Sequence, residues 1–141
     1  MEEKNIIEKL VEDFIVEMNE WEKYCNKVEQ DDTIEYETEL KMQQKKAEEV
    51  FSKYCTKKDR KLGLPENISY GTEGSYEYDP EQEKVTNISI DSKTKATVST
   101  FKEFPMKEEK KYFLKKVKDI WLIDSKKRYS EFKDKWVNVS L

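Results

Sequence analysis

Histidine is absent from this 141-residue chain, and arginine, glycine, proline and cysteine are scarce. Without histidine there is no Ser-His or Cys-His nucleophile, and most zinc-hydrolase ligand sets are excluded. Three glycines, Gly63, Gly71 and Gly74, cannot build a P-loop or a dinucleotide fingerprint, and the Gly71–Gly74 spacing reads as a turn. Cys25 and Cys55 stand alone, with no CxxC pair and no neighbouring metal ligands. They are expected to be reduced, buried thiols. The start, Met1-Glu-Glu-Lys, is polar, and no apolar run approaches the roughly 18 residues of a membrane span. The expected address is therefore the cytoplasm, with no membrane, metal or cofactor. Only Arg60 and Arg128 among 27 basic residues are arginine, a bias expected of an AT-rich bacterial coding sequence.

What is present argues for one folded domain over residues 1–141. Charged residues make up 41%, but aromatics reach 12% and the net charge is only −4. A disordered acidic chain has few aromatics and a large unbalanced charge. The charge is split along the chain. Residues 1–50 carry 16 acidic and 7 basic side chains, and residues 51–141 carry 15 acidic and 20 basic.

The hydrophobic period changes at the same place. Ile7, Val11, Phe14, Met18, Trp21, Cys25 and Val28 recur at alternating spacings of four and three, which predicts a long amphipathic helix. Leu10 and Ile15 widen the stripe beyond a coiled-coil seam. A second helix is expected over 36–55, with Leu40, Ala47, Val50, Phe51, Tyr54 and Cys55 inward. Gly63 and Pro65 end the helical layer, 1–62. From Ile68 to Val139 the chain reads as strands: Ser75–Tyr78 alternates up to Asp79-Pro80, then Thr86–Ile90, Thr94–Phe104, Lys110–Lys118, Ile120–Asp124 and Lys135–Val139. Asp91–Thr94 reads as a hairpin loop. Helices followed by antiparallel strands make an α+β fold with helices on one face of a curved sheet.

The closing stretch Lys115-Lys-Val-Lys-Asp-Ile-Trp121-Leu-Ile123-Asp124-Ser125 resembles the end of nuclear transport factor 2-like, or cystatin-like cone, domains. Its continuation through Tyr129 is similar to the immunity proteins that accompany Rhs-type polymorphic toxins. The turn before Trp121 carries Lys118-Asp119 where such domains often have glycine or asparagine. The resemblance implies N-terminal helices packed into a strongly curved antiparallel sheet. It also implies a protein that binds and neutralises a cognate toxin by occluding it, with no catalytic residues. The broad sheet of such cones often serves as a dimer face, so a homodimer is a further expectation.

The segment Glu29–Glu39 holds six carboxylates (Glu29, Asp31, Asp32, Glu35, Glu37, Glu39) and no basic residue. It reads either as a solvated helix start, with Asp31, Asp32 or Thr33 as N-cap, or as an acidic patch for a basic partner with Tyr36 as anchor. Lys107, Lys110, Lys111, Lys115, Lys116 and Lys118 read as a polar sheet face or a blunted edge rather than a nucleic-acid site, because acids interleave with them. The alternative function is a proton-transfer or small-molecule-binding cone of the ketosteroid isomerase type, for which Asp91, Asp124, Tyr76, Tyr78 and Tyr112 are the candidates. Trp121 and Ile123 are expected in the core.

Overall fold

The computed structural model describes residues 2–60 and 63–141. Two helices, α1 (Glu2–Glu29) and α2 (Tyr36–Tyr54), precede five strands: β1 (Lys84–Ile90), β2 (Lys95–Lys102), β3 (Glu108–Val117), β4 (Ile120–Ser130) and β5 (Lys135–Val139). The strands form one antiparallel meander in chain order.

All seven residues of the four-three stripe of α1 are buried, as is Ile15. Twenty-eight residues without glycine or proline sustain this helix, with Glu2 and Glu3 in its first turn and Lys27 in its last, the favourable polarity for the helix dipole. The stripe packs against α2 and the inward face of the sheet. Phe14 sits at the centre, edge-on to Phe51, Tyr54 and Tyr78 with ring centroids 6.0, 6.0 and 5.5 Å away. The Trp21 indole donates to the Gln43 carbonyl of α2 at 2.9 Å, satisfying its one polar atom.

Helix α2 buries Gln43, Ala47, Val50 and Phe51, while Leu40 and Tyr54 are only half buried. Its N-cap is Glu35, which makes no side-chain cap bond. The expectation that Asp31, Asp32 or Thr33 would cap it is corrected. Asp31 instead closes a local turn, accepting from the Thr33 amide at 3.0 Å and its hydroxyl at 2.6 Å. Cys55 lies past the end of the helix and bridges in parallel to Ile123. Strand β5 pairs only with Lys126–Ser130 of β4, so this bridge takes up part of the β4 edge that β5 leaves open.

Two irregularities bend the sheet, one at Val85/Asn87 and one opposite Phe113/Leu114, where Asp124 is the additional residue. The β3–β4 hairpin turns on Lys118 and Asp119, both in the left-handed conformation (φ 51° and 66°). This is the turn that matches the twist of a two-residue hairpin, made here without glycine. The hairpin loop at 91–94 is where expected. The strand expected over Ser75–Tyr78 is absent: residues 63–83 form an irregular strap of turns, and the sheet begins at Lys84.

Candidate functional site

The inward face of the sheet changes character along its length. Ala96, Val98, Leu114, Trp121 and Ile123 meet the apolar stripe of α1, whereas Thr100, Lys102, Lys110 and Lys126 continue the same face into a buried polar cluster. Alternation along β2 and β3 turns Lys102 and Lys110 inward with Val98 and Tyr112. In β4 the extra residue Asp124 shifts the alternation, so Lys126 points in and Ser125 out. The expectation that the lysines of 107–118 lie on a polar sheet face holds for Lys111 and Lys115, respectively half-buried and exposed on the outer side. Lys111 and Lys127 lie over the rings of Trp136 and Phe113 at 4.5 and 5.7 Å. It is corrected for Lys110, which is buried.

The strap supplies the counter-charges. Lys110 Nζ lies 3.5 Å from Glu77, 3.6 Å from Glu83 and 3.7 Å from Glu108. Lys126 Nζ lies 3.4 Å from Glu77, donates to the Tyr78 hydroxyl at 3.2 Å, and sits 4.6 Å from that ring's centre. Glu83 Oε2 accepts from Thr100 and Tyr112 at 2.7 and 2.8 Å. Its Oε1 has no hydrogen-bond partner among the described residues and lies 3.6 Å from Lys110 Nζ. Burial opposes charging Lys110, yet Glu83, Glu77 and Glu108 hold its ammonium above the ordinary lysine range. Burial and the neighbouring Lys110 push Lys126 down to about 8.

One side chain of α1 fastens the strap. The buried Glu22 carboxylate accepts backbone N–H bonds from Gly71, Glu77 and Tyr78 at 2.7, 3.0 and 2.8 Å. Asn19 donates to the Tyr78 carbonyl and Asn26 to that of Gly71. These amides are directed to a carboxylate and not to a neighbouring strand, which is the physical reason Ser75–Tyr78 is not a strand. Gly71 cannot be replaced without disturbance, because a Cβ there would lie 2.2 Å from the Ser75 carbonyl oxygen.

The acidic segment occupies the turn between α1 and α2. Asp31, Asp32, Glu35 and Glu37 are exposed, as are Glu29 and Tyr36, and Glu39 is half buried. Glu29 accepts from the Tyr70 hydroxyl at 3.0 Å, and Gln43 contacts Glu39 at 3.4 Å. Among the described residues, no lysine or arginine forms an ion pair with any of the six carboxylates.

The residues considered for proton transfer are not assembled. Asp91 is exposed and bonds to Ser89 and Thr97. Asp124 is turned to the chain leaving α2, accepting from Thr56 at 2.7 Å and pairing with Lys58 and Lys115 at 3.2 and 3.5 Å. Its carboxyl is penalised by partial burial, but Thr56, Lys58 and Lys115 hold it below the usual range. Tyr76 is half buried. Tyr78 and Tyr112 do come together, fully buried around Lys126, but with their hydroxyls engaged by Lys126 and Glu83.

Residues 6–140 match the family model described as "NTF2 fold immunity protein". The chain belongs to that family. It is also 32% identical, over the full length of both chains, to a protein of Dickeya dadantii (strain 3937) named "Immunity protein RhsIA". No solved structure matches. The α+β architecture, two helices on a five-stranded antiparallel sheet, is that of the family, and the protein is a toxin-neutralising immunity protein.

In this immunity protein the sheet face beyond Val98 and Leu114 is covered by its own buried charged side chains, among them Lys102, Lys110 and Lys126. The buried Lys126 is easier to deprotonate than an unfolded lysine. The folded state therefore binds fewer protons than the unfolded state above about pH 8, and its destabilising contribution, full below that pH, fades as pH rises. Between pH 7.5 and 9, wild type is expected to gain on Lys126→Met by about 1 kcal/mol in urea melts. A constant difference across that range contradicts the buried, pH-sensitive ammonium.

Proposed function

We propose that this chain neutralises the toxin domain of an Rhs-type polymorphic toxin in the bacterial cytoplasm by occupying its surface, without catalysis, and that the acidic lobe Glu29–Glu39 is part of the contact. The observation that carries the docking site is the set of six carboxylates, with Tyr36 exposed among them and no ion pair to any described basic residue. Capping and dipole effects use one or two acids near a helix start, not six. Unpaired surface acids repel one another and repay that cost when a basic partner covers them. A nuclease or other phosphate-binding toxin has such a face. The name of the Dickeya relative supports the Rhs-type assignment. The buried tyrosines are already engaged, Tyr78 by Lys126 and Tyr112 by Glu83, which supports a surface mechanism over proton transfer by these side chains.

The test is surface plasmon resonance against the toxin domain encoded beside this chain, inactivated by substitution. Glu35→Lys with Glu37→Lys is expected to slow association at least about tenfold and to flatten its salt dependence. Unchanged association for the double variant would remove the lobe from the contact. No binding by wild type would overturn the partner.

A further inference from the structure

We infer that the toxin meets the end of the sheet that carries the β2–β3 and β4–β5 loops, and that Phe132, Phe104 and Met106 are apolar anchors there beside the acidic lobe. This rests on the immunity reading above and specifies its surface.

The two ends of the molecule are defined by the chain path. In an antiparallel meander, the β1–β2 and β3–β4 turns lie at one end and the β2–β3 and β4–β5 loops at the other. Helix α1 starts at the first end, where Glu3 accepts from Lys116 Nζ at 3.0 Å and the Trp121 indole at 3.1 Å. Its C-terminal half reaches the second end, where Asn19, Glu22 and Asn26 hold the strap. Lys102, the last residue of β2, in turn donates to the Tyr76 carbonyl of that strap at 2.8 Å. Phe104 and Pro105 line a cleft shared with Asn19, Glu20 and Lys23 of α1. The acidic turn that follows α1, with Tyr70 bonded to Glu29, therefore shares its end with both loops.

Apart from Val16, midway along α1, the exposed large apolar side chains differ in chemistry between these ends. The first end exposes Ile6, Ile90, Val117 and Ile120, all aliphatic. The second end exposes Tyr36 (71%), Phe104 (61%), Met106 (71%) and Phe132 (97%), which are aromatic or methionine. Aromatics and methionine are the apolar residues enriched where proteins bind one another, and aromatic anchors dominate binding energy.

Phe132 contributes nothing visible to its own hairpin. That tip is held by Ser130 accepting from the Lys133 amide at 3.2 Å and by the Tyr129 hydroxyl on Asp134, whose φ is 52°. The ring is thus presented on a tip fixed by other residues, the rigid display that lowers the entropic cost of binding. The β4–β5 tip carries Glu131 and Asp134 with Lys133, and the β2–β3 loop Glu103 with Lys107. Glu20, Glu73, Asp79 and Glu81 line the cleft beside Phe104 with Lys23, so the lobe adds to an end that is acidic on the strap side as well. The surface fits a basic toxin domain with recessed apolar sites.

The test measures affinity for the same inactivated toxin domain. Phe132→Ala, and Phe104→Ala with Met106→Ala, are each expected to weaken binding about tenfold or more, mainly through faster dissociation. Ile120→Ala, at the opposite end, is expected to leave it within about twofold, and all three variants should melt near wild type. If both loop variants bind within twofold of wild type while the Glu35/Glu37 reversal weakens binding, the anchors are wrong and the lobe stands. If wild type does not bind at all, the immunity partner itself is wrong. If Phe132→Ala instead abolishes a dimer in sedimentation and leaves toxin affinity unchanged, the occupant is a second copy and the inference is overturned.

Discussion

Replacing Glu83 by alanine is expected to destabilise the fold by about 3–5 kcal/mol, the range for removing one partner of a buried ion pair. The substitution leaves the fully buried Lys110 ammonium without its one fully buried counter-ion, keeping only the half-exposed Glu77 and the partly exposed Glu108. It also removes the acceptor of the Thr100 and Tyr112 hydroxyls, and unmet buried polar groups cost about 1–3 kcal/mol each when they cannot relax to water. The loss should be partly repaired by a second change. Glu83→Leu with Lys110→Met replaces the pair by apolar side chains of similar volume and is expected to recover the part of the loss due to the unpaired ammonium, because burying two charges is itself costly, while the Thr100 and Tyr112 hydroxyls stay without their acceptor. Urea denaturation of the two variants checks this. A single variant within 1 kcal/mol of wild type would show that the cluster is not held by Glu83.

Glu22→Ala is expected to cost about 3–4 kcal/mol and to release the strap before the rest of the molecule opens. Three buried or half-buried amides converge on this one carboxylate, and hydrogen bonds to a charged group contribute about 1.5–3 kcal/mol each before its burial is subtracted. That subtraction is substantial: burial raises the Glu22 pKa, opposed by the Tyr78, Gly71 and Glu77 amides. Native-state hydrogen exchange separates the two effects. Gly71, Glu77 and Tyr78 should exchange much faster in the variant than residues of β3, whose ladder bonds are untouched. Uniform acceleration across strap and sheet would mean that Glu22 supports global stability only. Glu22→Gln, which keeps one carbonyl oxygen, should fall between.

How much of this was legible in the sequence depends on where each signal lies. The stripe from Ile7 to Val28 was fully legible, because a 3.6-residue period survives any packing partner, and all seven of its residues are buried. The five strands and the hairpin at 91–94 were legible from alternation. The resemblance in Lys115–Ser125 anticipated the fold, and its continuation through Tyr129 the immunity family. The strap was not legible as a strap, since Ser75-Tyr-Glu-Tyr78 alternates like a strand while the Glu77 and Tyr78 amides answer to Glu22, 55 and 56 positions earlier. Lys126 was hidden by the bulge at Asp124, which inverts the alternation midway through β4. Lys110 shares parity with Tyr112 and Leu114 and was the detectable one, but a lysine among lysines reads as surface until its buried partners on the strap are known.

Growth rescue tests the central claim most directly. Cells expressing the active toxin encoded beside this chain should die alone and survive when the wild-type chain is co-expressed. Protection is expected to fail or weaken with Glu35→Lys and Glu37→Lys combined with Phe132→Ala, and to persist with Ile120→Ala. Full protection by the combined Glu35/Glu37/Phe132 variant, expressed at the wild-type level, would contradict the account of how this immunity protein meets its target. Death despite the wild-type chain would contradict the pairing itself.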